Sequence, residues 1–145
     1  MDRYKSFFHF QHTALLGLWR WGLASMLGGG LLMLTRSALL RALGLQALVW
    51  GAIDATLAFF GQRGARRHIR SGAQDGPAHA RRFRLIVAVN AALDVLYVLL
   101  GLRLIRGSAG RSARRGTGLG ILTQGVFLLV YDTALAIATG RWTRG

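Results

Sequence analysis

The stretch Leu85-Ile-Val-Ala-Val-Asn90-Ala-Ala-Leu-Asp94-Val-Leu-Tyr97-Val-Leu-Leu100-Gly-Leu-Arg103-Leu-Ile105 decides the class of this protein. Within it, 93–102 has almost no polar face, whereas a helix of a soluble bundle would carry one. At 1.5 Å per residue the stretch reaches about 30 Å, the thickness of the hydrocarbon core of a bilayer. Three further apolar stretches of similar length lie at 13–34, 39–60 and 119–139. The pattern predicts an all-α polytopic membrane protein, a single domain of four transmembrane helices covering 1–145.

The first apolar stretch follows Asp2-Arg3-Tyr4-Lys5 and is too long for a signal peptide, so it is expected to stay in the mature protein. Residues 1–12, with Tyr4, Phe7, Phe8 and Phe10 beside Arg3 and Lys5, suit a segment lying among lipid head groups. About four residues around Thr35 to Ala38 join the first two stretches and force an antiparallel hairpin. The connection 61–84, with Arg63, Arg66, Arg67, Arg70, Arg81, Arg82 and Arg84, reads as a surface loop with one or two interfacial helical turns. The connection 106–118 is rich in Gly, Ser and Arg and is expected to be mobile.

The formal charge is +14, and 18 of the 19 basic residues are arginines. Most lie between apolar stretches, where anionic lipid head groups are nearer partners than nucleic acid. Eleven fall on the side that carries both termini and seven on the other, which places the termini in the cytoplasm by the positive-inside rule. Cysteine and glutamate are absent, and no serine is placed to act as a nucleophile with its base. No motif requires a cofactor, and enzymatic activity is not the expected role.

Of five acidic residues, Asp54, Asp94 and Asp132 sit inside the apolar stretches. An ionisable group there costs about 2.5 to 3.5 kcal/mol even on insertion scales, so each needs a partner, water or a proton. The second and fourth stretches also match one another. Gln46-Ala-Leu-Val-Trp50-Gly-Ala-Ile-Asp54-Ala-Thr-Leu-Ala58 parallels Gln124-Gly-Val-Phe-Leu128-Leu-Val-Tyr-Asp132-Thr-Ala-Leu-Ala136, with Gln and Asp eight residues apart in each. Two hairpins related by an axis along the membrane normal, a parallel repeat, would produce this match.

Positions i and i+8 lie within about 80° around a helix. Gln46, Trp50 and Asp54 therefore form one stripe, and Gln124, Leu128 and Asp132 another. Asn90, Asp94 and Tyr97 form a third. Measured from the side of the termini, the three aspartates and Arg20 lie about 9 to 14 Å deep, in one layer. In one reading Arg20 pairs with the aspartates and holds the bundle together. One arginine cannot saturate three carboxylates, however, and like charges disfavour joint ionisation. The surplus points to a site for a cation or a proton, with Gln46, Asn90 and Gln124 supplying fixed polar groups. Trp50 and Tyr97 would gate a cavity or meet a cation through their ring faces, or serve only to pack the helices.

Trp19, Trp21, Trp142 and Tyr4 read as interfacial anchors. Gly28-Gly29-Gly30 and Gly101 offer close helix approach or, in the first helix, a loosening. His9, His12, His68 and His79 lie outside the apolar stretches, and surface contacts are expected for them rather than a metal.

The segments 50–54, 90–97 and 118–132 together resemble a family of small, uncharacterised four-helix bacterial membrane proteins, over 17–140. The resemblance implies that fold and a bacterial inner membrane, but no activity. Transport or conduction of a proton, metal ion or small cation is the expected function. Four short helices make a narrow bundle, so a homodimer is the expected form. The alternative is a non-catalytic sensor or accessory subunit that binds a small polar ligand or lipid head group, with the aspartates and Arg20 as a structural network.

Overall fold

The computed structural model describes residues 3–72 and 76–143. Four α-helices account for nearly all of them: α1 (Arg3–Met33), α2 (Ala38–Ser71), α3 (Gly76–Arg106) and α4 (Ser112–Thr143). The Tyr4 side chain, expected to be an anchor, and residues 73–75 of the second connection lie outside the described residues. Ser37 caps α2, its hydroxyl accepting from the Leu40 amide at 3.3 Å. Gly72, at φ 75°, ends that helix in a conformation that disfavours a side chain.

Three of the helices, α2, α3 and α4, are long and apolar enough to cross a membrane, the mark of a multi-pass membrane protein. In α1 the Trp19-Arg20-Trp21 and triple-glycine segments dilute the apolar run. The surface is inverted relative to a soluble bundle. Leu27, Leu31, Leu57, Leu96 and Ile137 are exposed, while Asp54, Asp94, Asp132 and Gln124 are buried. An apolar exterior of this extent suits lipid rather than water.

α1 packs along α2, α3 along α4, and α2 against α4 joins the two pairs. Glycines set these approaches. A β-carbon at Gly22 would lie 2.7 Å from backbone atoms of Gly51 and Ala55, and one at Gly29 would lie 2.5 Å from the Gly44 carbonyl, so α1 and α2 run in opposite directions. Gly101 faces Gly118 and Leu122 in the same way on α3 and α4. Gly116 rests on the Leu39 backbone and Gly120 on Gln46, so α2 and α4 run in the same direction. Among the described residues α2 and α3 do not meet backbone to backbone. A groove floored by α4 separates them.

The helices outrun their apolar stretches. The 34 residues of α2 make about 50 Å of helix, some 20 Å more than the hydrocarbon core needs. The connection expected to be a loop over 61–84 is thus mostly helical, because α2 continues to Ser71 and α3 begins at Gly76. Residues 3–12 belong to α1 rather than to a separate interfacial segment. At this end Phe7, Phe8, Ala80 and Trp142 form a buried cluster, with the Phe7 and Trp142 ring centroids 5.7 Å apart. Trp142 is therefore a core residue rather than an anchor. His68 stacks on Phe8 at 4.8 Å and meets His79 edge-on at 4.5 Å.

Arg66 Nε donates to His12 Nε2 at 2.8 Å, tying α2 to α1. That bond requires an imidazole nitrogen without a proton. Burial, then the Arg66 charge, then His9 hold the His12 pKa below the ordinary histidine value. A lowered folded value means the contact contributes above the unfolded pKa and is lost as pH falls through the folded one. His12 is expected to titrate below the ordinary histidine value in a side-chain NMR titration, and Arg66→Gln is expected to move its midpoint upward. An unchanged midpoint in that variant would refute the assignment.

Candidate functional site

A cavity of about 230 Å³ opens in the groove between α2 and α3. Asp54 and Trp50 reach it from α2, Asn90, Asp94 and Tyr97 from α3, and Asp132 and Leu128 from α4. Leu18 of α1 closes its inner wall. Six of the nine residues expected to form the site thus converge. The aspartates are nine-tenths or more buried, at 3%, 3% and 8% exposure, and lie near enough to interact electrostatically. The Asn90 side chain lies beside the Asp132 carboxyl. Among the described residues, no group donates to Asp54 Oδ2 or Asp94 Oδ2. A buried acceptor left so costs about 1 to 3 kcal/mol, and native structures contain few of them.

The other three expected residues lie elsewhere. Arg20 is exposed and lines no part of the cavity. It sits two residues, or about 200°, beyond the inward-facing Leu18, and so points away from the aspartates. The expected Arg20–aspartate network is absent from the described residues. Gln124 turns toward α1, where Oε1 accepts from Trp21 Nε1 at 2.9 Å and Nε2 donates to Ser25 at 3.2 Å. Gln46 packs on Gly120 of α4. The Gln-to-Asp stripe therefore divides its work, with the glutamines packing helices and the aspartates facing the cavity.

Trp21, expected to be an anchor, stacks on Phe127 with centroids 3.8 Å apart. Replacing Gln124 by Leu strands its indole N–H, which is expected to destabilise the bundle by about 1 kcal/mol in detergent unfolding. Cavity properties should be unaffected, since Gln124 does not line it. Equal unfolding of variant and parent would show that the bond is idle.

Ile53, Leu57 and Leu93 also line the cavity, although sequence reasoning passed over them. Each adjoins an aspartate or falls one helical turn from it, so the signal was apolar side chains on the same face as an acid. The trace of that face depends on helix rotation, which an all-round apolar sequence does not fix.

The family model of DUF6992, a family of unknown function, matches residues 17–133. The chain belongs to that family. The matched region holds every aspartate of the cavity, together with Trp50, Asn90 and Tyr97. Comparison with curated proteins and with solved structures gave no match.

Proposed function

We propose that this member of DUF6992 moves a proton or small cation through the carboxyl-lined cavity. One observation carries the reading. Two carboxyl oxygens of the cavity-lining residues are buried and meet no donor among the described residues, and the only arginine in the apolar part of α1 points away. Three acids with no countercharge among the described residues are stable in hydrocarbon only when they hold protons or a cation. A site whose charge is balanced by what it carries is suited to loading and release.

In this reading α1 also crosses the membrane. The chain then forms two antiparallel hairpins related by a parallel repeat, with α2 and α4 side by side at its axis. The contacts of Gly116 with Leu39 and Gly120 with Gln46, which run α2 and α4 in the same direction, support that relation. The bilayer is a bacterial inner membrane with the termini in the cytoplasm, where the arginine-rich helix ends meet anionic head groups. A narrow four-helix bundle would complete a pathway as a homodimer.

A lipophilic carbodiimide, which attacks protonated carboxyls within membranes, tests whether the site loads. Adducts are expected at Asp54, Asp94 or Asp132 in native membranes, and added sodium or higher pH should slow them. Labelling confined to Asp2 and Asp75, or indifferent to pH and cation, would contradict the reading.

A further inference from the structure

The two side grooves of the bundle differ. Where α1 passes α4, Trp21 stacks on Phe127, Phe127 stacks on Tyr131 at 5.6 Å, and the Tyr131 hydroxyl donates to the Ala14 carbonyl. That groove is filled. Counting back from Asp54 as Phe127 and Tyr131 count back from Asp132, the corresponding positions of α2 hold Val49 and Ile53. The smaller side chains leave the α2–α3 groove open, and the carboxyl-lined cavity occupies it.

The opening faces sideways. Ile53, Leu57 and Leu93 line the cavity and are 44%, 60% and 43% exposed, on helices whose outer surface is apolar. Trp50 and Tyr97 meet edge-on across the groove, with centroids 4.8 Å apart, and bridge α2 to α3 at one point along it. A ligand in this groove therefore has carboxyls at its polar end and, at its other end, side chains that face lipid.

We infer that the groove binds a lipophilic primary ammonium, its head among Asp54, Asp94 and Asp132 and its hydrocarbon tail leaving between Ile53, Leu57 and Leu93 into the bilayer. This deepens the cation-site reading and rests on it. Charge complementarity selects a cation, because three carboxyls converge and no cationic side chain among the described residues lines the cavity. Carboxyl oxygens accept N–H groups, which a primary ammonium supplies three at a time and a quaternary one lacks. The volume is ample for the head. Bulk water takes about 30 Å³ per molecule, so some 230 Å³ holds several groups of that size. The apolar lips select the tail, whose burial there replaces contact with lipid at little cost.

The test uses the full chain in phosphatidylcholine nanodiscs, with radiolabelled dodecylamine as probe and protein-free nanodiscs subtracted. Saturable binding is expected. Dodecyltrimethylammonium, with the same charge and tail but no N–H, should compete at least tenfold more weakly, and ethylamine, with no tail, at least a hundredfold more weakly. Asp54→Asn and Asp94→Asn should each weaken binding tenfold or more. Ile53→Tyr, which places in this groove the residue that fills the other, should do the same while leaving the carboxyls intact. Size-exclusion profiles separate these effects from misfolding, and the two Asn variants guard against failure of the Tyr variant to fold.

Equal competition by ethylamine would overturn the inference and leave an aqueous cation site standing. So would an absence of saturable dodecylamine binding in a protein whose carbodiimide labelling still responds to sodium. Loss of both responses would overturn the inference together with the cation-site reading.

Discussion

Asp94→Asn is expected to leave the bundle folded and to stabilise it by about 1 kcal/mol in detergent unfolding. Asp94 is 3% exposed, and its Oδ2 meets no donor among the described residues. The asparagine keeps the shape, removes the charge and brings an N–H₂ that can donate to a neighbouring carboxyl. A residue that served to hold helices together would behave in the opposite way. Removing one partner of a buried ion pair costs about 3 to 5 kcal/mol. The sign of the change therefore separates a site that sacrifices stability for function from a structural network. A loss of 3 kcal/mol would support the network and remove the main argument for ligand binding. Asp54→Asn should behave like Asp94→Asn, since its Oδ2 is stranded in the same way.

Gly101→Leu is expected to be the most damaging single substitution in the α3–α4 contact. A β-carbon there would fall 2.8 Å from the Leu122 amide nitrogen and 2.9 Å from the Gly118 carbonyl oxygen. Neither neighbour is the free end of a flexible side chain, so the two helices must separate. Overpacking of this kind costs about 1 to 3 kcal/mol, and the lost backbone approach adds to it. Because α3 and α4 carry Asp94 and Asp132, the separation should also widen the cavity. Gly28→Ala and Gly30→Ala provide the contrast, for no atom lies within 4 Å of a β-carbon at either position. They should be neutral or stabilise the helix by up to about 1 kcal/mol. Thermal unfolding in detergent that ranked all three alike would mean that the glycine contacts do not control the packing.

The contrast among these glycines shows how far the sequence could be read. Gly28-Gly29-Gly30 was legible as a place for close approach, but only Gly29 uses it, because the choice depends on which face of α1 meets α2. The same uncertainty misplaced Arg20. Its depth follows from counting residues, whereas its direction depends on rotation about an axis surrounded by apolar side chains. Asp54, Asp94 and Asp132 were legible for an energetic reason. Hydrocarbon penalises an acid whatever the rotation, so all three were bound to turn inward.

The arginine run at 63, 66, 67 and 70 carried a signal that was missed. Its spacing of i, i+3, i+4 and i+7 marks one exposed face of a helix, with Ala65 and Ile69 packed behind it. Read that way, it predicts the continuation of α2 to Ser71 instead of a loop. The open groove had no such signature. It results from Val49 and Ile53 being smaller than Phe127 and Tyr131, a difference that matters only once helix packing is known.

If charge moves through the carboxyl cavity, it is measurable as current on a solid-supported membrane. Proteoliposomes adsorbed to the electrode would receive a jump in external proton or monovalent cation concentration, with the parent protein and the Asp54→Asn/Asp94→Asn double variant reconstituted at equal density. A transient current is expected in the parent for at least one of these ions, falling to the level of protein-free liposomes in the folded double variant. Equal currents from both proteins, or none from either for any ion tried, would contradict it.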